Sequence, residues 1–192
     1  MSVSPQVVRP RIALGDGFGI AIALAGLAVL LARPFVDGDP AARAWTFGIG
    51  YLAIGAASIA APMAPSSGRH LRPALVLAIG LAAVGASSIA AGPPVPAPWG
   101  AAAAPLSLLA AVAEEALFRR VAYGRLERFG ALVAIVGSAS LFALVHLPAY
   151  GVAALPVDLG AGLLLSWQRW ASGSWTVPAA THAAANLVAV LR

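Results

Sequence analysis

The chain contains no cysteine and no lysine, and it carries little charge of either sign. The absence of cysteine from all 192 residues excludes disulfide bonds and thiolate ligands for metals. Charged residues make up 10% of the chain, against roughly 25% in ordinary soluble domains. So few charges cannot cover the surface of a soluble protein of this length, which excludes an ordinary soluble enzyme or binding domain.

Apolar residues take the place of the missing charge. They make up 60% of the chain, and the mean hydropathy is +0.88. This composition predicts an all-α fold, a polytopic transmembrane helix bundle. Breaks rich in proline, glycine and aspartate separate about seven membrane segments, at residues 17–32, 44–62, 73–91, 105–129, 131–146, 156–170 and 176–191. The first run is longer than the apolar core of a signal peptide, so we interpret it as an uncleaved span.

The distribution of arginine predicts the orientation of the protein in the cell membrane. With the N-terminus inside, nine of the twelve arginines fall on the cytoplasmic side, and the external three are Arg33, Arg43 and Arg192. The positive-inside rule therefore predicts a multi-pass protein with a cytoplasmic N-terminus. Because this rule also accounts for the isoelectric point of about 11.1, we expect the lipid bilayer as a partner and no nucleic acid.

Three motifs place polar or ionisable groups inside apolar segments. They are Glu114-Glu115-x-x-x-Arg119, Phe142-x-x-x-His146 and His182-x-x-x-Asn186. Such groups are unfavourable in lipid, so each is a functional-site hypothesis by default. Two carboxylates, an arginine, two histidines and an asparagine in one membrane bundle indicate a hydrolytic site.

The depths of these groups match only if the fourth segment is a long helix. If it continues to Phe129 and ends at Gly130, Glu114 lies ~21 Å from that end at ~1.5 Å per residue. His146 then lies ~22 Å into the antiparallel neighbouring segment by the same rise. We therefore predict the long helix, with the catalytic core in the last four helices. The groups are expected to line one cavity, open toward the cytoplasm.

The two adjacent glutamates are expected to have different environments. Glu115 and Arg119 are four residues apart on a helix, with the acid N-terminal to the base, which is the favourable orientation for an ion pair. We interpret this pair as structural support. One arginine cannot neutralise two carboxylates, so Glu114 is expected to lack a cationic partner, which suits a general base acting on water.

The histidines have a functional and a structural interpretation. A single buried histidine such as His146 is more often a satisfied core residue than a catalyst, and Phe142 is a packing residue in either case. His182 and Asn186 share one helix face and would offer two neutral hydrogen-bond donors, as an oxyanion hole requires. The structural alternative for this pair is a polar clasp between helices.

With these motifs the chain resembles the CPBP intramembrane proteases, also called the Abi or CAAX protease family. The family pattern EExxxR, FxxxH and HxxxN occurs here without departure, and the resemblance covers about Pro105 to Arg192. The first hundred residues contain no motif of this family. We therefore divide the chain into an N-terminal three-helix membrane region, residues 1–104, and a catalytic membrane core, residues 105–192.

The resemblance implies an intramembrane endopeptidase that acts on a prenylated CAAX-like, small-peptide or other membrane-associated substrate. By position in the family pattern, Glu114 would activate the water with the help of His146. His182 and Asn186 would stabilise the oxyanion. Glu115 and Arg119 would support the site.

A zinc-dependent version of the same protease is the alternative chemistry. The two histidines and a carboxylate could in principle ligate zinc. No HExxH helix is present, and Arg119 would repel a cation unless Glu115 holds it. We therefore expect no cofactor.

Two other classes of function remain open. A non-enzymatic immunity or scaffold protein would bind a peptide partner at the same polar residues. A small transporter would use the intramembrane glutamates and histidines as a proton relay, and it would be expected to contain inverted repeats. No internal repeat is evident in the sequence.

Overall fold

The computed structural model describes residues 14–36, 39–63, 71–91 and 103–192, which are helical apart from short connections. The helices are α1 (Leu14–Ala32), α2 (Pro40–Ala60), α3 (Pro73–Ala90), α4 (Ala104–Glu115), α5 (Tyr123–Leu126), α6 (Ala131–Tyr150), α7 (Leu155–Ser172) and α8 (Thr176–Leu191). A π-helical stretch, Ala116–Ala122, joins α4 to α5. The described residues therefore form seven helical segments, which confirms the predicted all-α organisation.

The long fourth segment is confirmed. The chain stays helical from Ala104 through the π-helical stretch and α5 to Phe129. It ends at Gly130, whose φ of 108° belongs to a region that residues with a Cβ rarely adopt. The π-helical stretch itself was not predicted. Such stretches are rare and frequently occur at functional sites.

Two boundaries differ from the prediction. Helix α6 continues past His146 to Tyr150, with Pro148 inside it. Helix α7 has 18 residues, so it is longer than the segment predicted at 156–170. The prediction followed hydropathy, which falls after His146, whereas a helix continues as long as its backbone hydrogen bonds are formed.

The outer surface of the bundle carries many large apolar side chains, whereas several charged side chains are buried. Large apolar side chains are exposed on the outside, such as Trp45 at 74% and Leu132 at 74%, whereas Arg119 is 0% and Arg169 is 1% exposed. Exposed apolar area on this scale indicates contact with lipid or other protein.

Two described helices, Pro73–Ala90 and Ala131–Tyr150, are long and apolar enough to cross a membrane. The stretches Ile20–Phe35 and Thr176–Leu191 are apolar but shorter. A membrane bundle is consistent with these lengths, and the number of seven spans stays a prediction.

The N-terminal helices pack directly on the segment that carries the glutamates. One apolar cluster joins α1 and α2 to α4, the π-helical stretch and α6, through Leu30, Tyr51, Ile54, Ala113, Leu117, Phe118, Phe142 and Val145. Helix α8 lies against α4, and α7 lies against α6. The division at residue 104 stays a prediction, but α1 and α2 are close enough to contribute to the site.

Candidate active site

A cavity of about 320 Å³ lies between α2, α4, α6, α8 and the short helical turn Arg33–Phe35 that follows α1. Its lining contains all four residues predicted to be catalytic: Glu114, His146, His182 and Asn186. The other lining residues are Arg33, Phe47, Tyr51, Leu106, Ser107, Ala110, Tyr150, Ala189 and Val190. The prediction that the last four helices form the cavity was incomplete, because α2 and the turn after α1 also supply part of the wall.

Glu114 has a cationic partner, contrary to the prediction. The Nη1 atom of Arg33 lies 3.2 Å from Glu114 Oε1, and the hydroxyl of Tyr51 donates to the same oxygen at 3.4 Å. The carboxylate was expected to be unpaired because Arg119, the one arginine of the motif, cannot neutralise two carboxylates, and Arg33 was assigned to the external side. The second carboxylate oxygen, Oε2, instead faces His146, with 3.7 Å between Oε2 and Nε2.

His146 is oriented by its own helix. Its Nδ1 atom lies 2.7 Å from the carbonyl oxygen of Phe142, and because a carbonyl can only accept, Nδ1 carries a proton. In the neutral ring Nε2 is then an acceptor, and this is the atom that faces Glu114. A distance of 3.7 Å is too long for a direct hydrogen bond. The two acceptors therefore face each other without a direct hydrogen bond between them.

Glu115 belongs to a closed cluster beside the cavity. Arg119 Nη1 donates to Glu115 Oε1 at 2.8 Å, and both side chains are 0% exposed, which confirms the predicted ion pair. Arg119 Nη2 donates to the carbonyl oxygen of Gly162 on α7 at 3.1 Å. The ion pair therefore joins the glutamate motif to α7.

His182 pairs with Glu115, a contact that was not predicted. His182 Nδ1 lies 3.0 Å from Glu115 Oε1. A carboxylate held by Arg119 only accepts, so Nδ1 is the donor. In a neutral ring, Nε2 would have no proton for an oxyanion. With Nδ1 directed at Glu115, His182 can donate into the cavity through Nε2 only from a protonated ring.

Asn186 faces the cavity from the next turn of α8. Its Nδ2 atom donates to the carbonyl oxygen of Ser107 on α4 at 3.0 Å. An amide nitrogen carries two protons, so one remains for a group in the cavity. The contact also links α8 to α4, so the predicted catalytic and clasp interpretations are compatible.

Phe142 is a packing residue, as predicted. Its ring centroid lies 4.4 Å from that of His146 and 5.6 Å from that of His182. The Cζ atom of Arg119 lies 4.6 Å from the same centroid. One aromatic ring therefore holds both imidazoles and the buried guanidinium in position.

The cavity lies toward the end of the bundle where α4 begins. Its lining includes Leu106 in the first turn of α4, Tyr150 at the end of α6 and Val190 at the end of α8. Residues 119–129 lie toward the opposite end of the fourth segment. If the arginines there are cytoplasmic, the cavity opens on the external side. The expectations of a cytoplasmic N-terminus and a cytoplasmic opening therefore cannot both hold.

Three polar residues near the site were missed in the sequence. Arg33 and Tyr51 contact Glu114 directly. Asp158, in the first turn of α7, lies within electrostatic range of His146 and Glu114. An arginine at the end of one apolar run and a single tyrosine inside the next were the available signals, but neither belongs to a short-range motif.

The donor arrangement does not fit a metal site. Among the residues that the structure describes, no three His, Asp or Glu side chains are grouped so that they could hold a metal ion. Glu114 Oε1 is occupied by a guanidinium, and Glu115 Oε1 is shared between Arg119 and His182.

Comparison with known proteins identifies one family. Residues 96–188 match the family model described as type II CAAX prenyl endopeptidase Rce1-like. The matched stretch contains all three motifs and excludes Arg33 and Tyr51. Neither the curated proteins nor the solved structures contain a match to this chain.

Proposed function

Because residues 96–188 match the model of the type II CAAX prenyl endopeptidase Rce1-like family, we propose that the chain is an intramembrane endopeptidase in which Glu114 activates a water. The family is membrane-embedded and implies a CAAX-type protease. The observation that supports this mechanism is that Glu114 Oε2 and His146 Nε2 face each other on the wall of the cavity, 3.7 Å apart.

The water would donate one hydrogen bond to each of these acceptors. Its lone pair then points into the cavity, where the scissile carbonyl would lie. As the water oxygen attacks the carbonyl carbon, Glu114 takes one proton, assisted by His146, and the carbonyl oxygen becomes an oxyanion. General-base catalysis of this kind typically contributes ~10²–10⁴ in rate.

Protonated His182 and the free amide proton of Asn186 would stabilise the oxyanion. Such donors are effective in a site that excludes water, because they are already oriented toward the developing charge. When the intermediate collapses, the carbon–nitrogen bond breaks, and the proton held by Glu114 passes to the leaving nitrogen. Glu115 orients His182 through Nδ1 and Arg119 holds Glu115, so both support the reaction without touching the substrate.

The substrate would be a peptide or protein at the membrane, with CAAX-like and prenylated sequences as the candidates that the family implies. No cofactor takes part, because the general base and the oxyanion donors are all side chains. The proposed location is the cell membrane, with a cytoplasmic N-terminus and the cavity open on the external side. Reporters fused after Phe129 and near Pro96 are expected to be cytoplasmic and external, respectively; the reverse pair would invert the orientation.

The test compares peptides from cells that express the wild-type chain or the Glu114→Gln variant. At least one cleavage product is expected with the wild type and absent with the variant, because glutamine cannot accept the proton. Asp39→Asn is the matched control. It makes the same acid-to-amide change at an exposed N-cap, where asparagine caps equally well. Identical peptide populations from wild type and Glu114→Gln would favour the non-enzymatic binding protein instead.

A further inference from the structure

Arg33 is a cavity residue that comes from outside the matched family region. It begins the short helical turn Arg33–Phe35 that follows α1, whereas the family match covers residues 96–188. Its side chain is 15% exposed and lines the cavity beside Glu114 and His146. The N-terminal part of the chain therefore contributes a cation next to the proposed reaction centre.

Only some of the hydrogen-bond donors of the Arg33 guanidinium have acceptors within the protein. Nε donates to the carbonyl oxygen of Leu30 at 3.1 Å. Nη1 donates to the Tyr51 hydroxyl at 3.0 Å and to Glu114 Oε1 at 3.2 Å. Nη2 is buried and has no hydrogen-bond partner. A buried donor without an acceptor is unfavourable, so an acceptor brought to Nη2 by a ligand would be stabilised.

The chemistry of the position favours an anionic acceptor. A guanidinium is a planar fork that binds carboxylates through strong charge-assisted hydrogen bonds. Among the residues that line the described cavity, Arg33 is the only arginine and Glu114 the only acid. Nη1 is committed to Glu114, which leaves the Nη2 side of the fork for a second carboxylate.

We propose that Arg33 binds a carboxylate of the substrate through Nη2 while Nη1 continues to hold Glu114. This inference rests on the proposed function. Since Nη1 lies 3.2 Å from Glu114 Oε1, the bound carboxylate would lie within a few residues of the scissile bond, at ~3.3–3.6 Å per residue. The carboxylate is either the free C-terminus of the substrate or an aspartate or glutamate side chain. Arg33 would thereby select which peptide bond reaches Glu114.

The experiment uses purified full-length protein in lipid nanodiscs and three forms of one N-terminally acylated, internally quenched peptide library. The first form has a free C-terminal acid and no acidic side chain, the second has the C-terminal amide, and the third is the amide with one aspartate. We expect the wild type to cleave one carboxylate-bearing form roughly ten- to a hundredfold more efficiently than the plain amide, mainly through KM. A preference for the first or the third form identifies the source of the carboxylate.

The variants separate substrate binding from a purely structural role. Arg33→Gln is expected to lose the preference, and Arg33→Lys to keep part of it, because lysine retains the charge without the fork. Arg43→Gln is the matched control, an exposed arginine on α2, and should behave as the wild type. If Arg33→Gln does not fold, the preference shown by Arg33→Lys decides the question.

Two results would overturn the inference. One is equal kcat/KM of the wild type for all three peptide forms. The other is a uniform fall for all three forms in Arg33→Gln or Arg33→Lys, since Arg33 would then only hold Glu114. A wild type that cleaves none of the forms, and is indistinguishable from Glu114→Gln, would count against the proposed function itself.

Discussion

Glu114 and Glu115 are neighbours in the chain but lie in two different regions of the molecule. Glu114 lines the cavity, where one oxygen is held by Arg33 and the other faces His146 across 3.7 Å. Glu115 is fully closed off, and one of its oxygens is shared between Arg119 and His182. The first region, the cavity around Glu114, has space for a water and a substrate. The second, the closed cluster around Glu115, has none.

The difference shows how one helix can present a reactive carboxylate on one face and a supporting carboxylate on another. Successive residues on a helix point ~100° apart, so a single step along the chain turns one carboxylate into the cavity and the next toward α7 and α8. Each carboxylate is paired with its own arginine, Arg33 for Glu114 and Arg119 for Glu115. Changes in the cavity should therefore act on rate, and changes in the closed cluster should act mainly on stability.

The largest expected effect is on the rate after a change in the cavity. His146→Ala removes the second acceptor of the water, so kcat should fall by ~10²–10⁴ with little change in melting temperature. His146→Asn is the companion variant, because it keeps a polar side chain but no base, and it should be equally slow. The measurement is kcat in nanodiscs, beside the melting curve. Activity within threefold of wild type in both variants would remove His146 from the mechanism.

The next effect is on stability, after a change in the closed cluster. Arg119→Ala leaves Glu115 buried without its cation, and broken buried pairs typically cost ~3–5 kcal/mol. Thermal unfolding in detergent measures the loss. Arg128→Ala is the control, since this arginine is exposed on the same segment and should change stability by about 0.5 kcal/mol or less. Equal melting temperatures for the two variants would show that the cluster is not structural.

A smaller change in rate is expected at the edge of the cavity. Asn186→Ala removes one oxyanion donor, typically worth ~10² in kcat, and a hydrogen bond to α4 worth ~1 kcal/mol. Steady-state kinetics should show a lower kcat at nearly constant KM. A variant with wild-type kcat but a lower melting temperature would mean that Asn186 is only a clasp between α8 and α4.

The smallest expected effect concerns the close packing of α7 against α6, which positions the closed cluster. A Cβ on Gly162 would lie 2.9 Å from the carbonyl oxygen of Ala139, so Gly162→Ala forces α7 away from α6. It should lower stability by ~1–3 kcal/mol and disturb the carbonyl that Arg119 contacts. Gly160→Ala is the control on the same helix, because a Cβ there meets nothing within 4 Å. Equal unfolding free energies would show that α7 adjusts without strain.

Local spacing predicted the features that depend on one helix. The pair Glu115–Arg119 follows from a separation of four residues, and the length of the fourth segment follows from its continuous pattern and from Gly130. The prediction that His146 reaches the depth of Glu114 was also correct, because the rise of a helix converts residue counts into distance.

Contacts between distant segments could not be predicted in this way. Arg33 and Glu114 are 81 residues apart, and nothing in the first apolar run indicates which helix its last residue will face. The rotation of α8 decides whether His182 meets Glu114 or Glu115, and packing against α4 and α7 sets that rotation. The contact between His182 and Glu115 was not predicted for this reason.

The most direct test of the account is a side-by-side comparison of Glu114→Gln and Glu115→Gln in the same nanodisc preparation. Each sample is measured for its melting temperature and for its rate on one identified substrate. We predict that Glu114→Gln melts close to the wild type and has no detectable activity, whereas Glu115→Gln melts well below it. Either of two results would contradict the assignment of the water-activating role to Glu114. One is a Glu114→Gln variant that cleaves at a rate near wild type. The other is a Glu115→Gln variant that is stable but inactive.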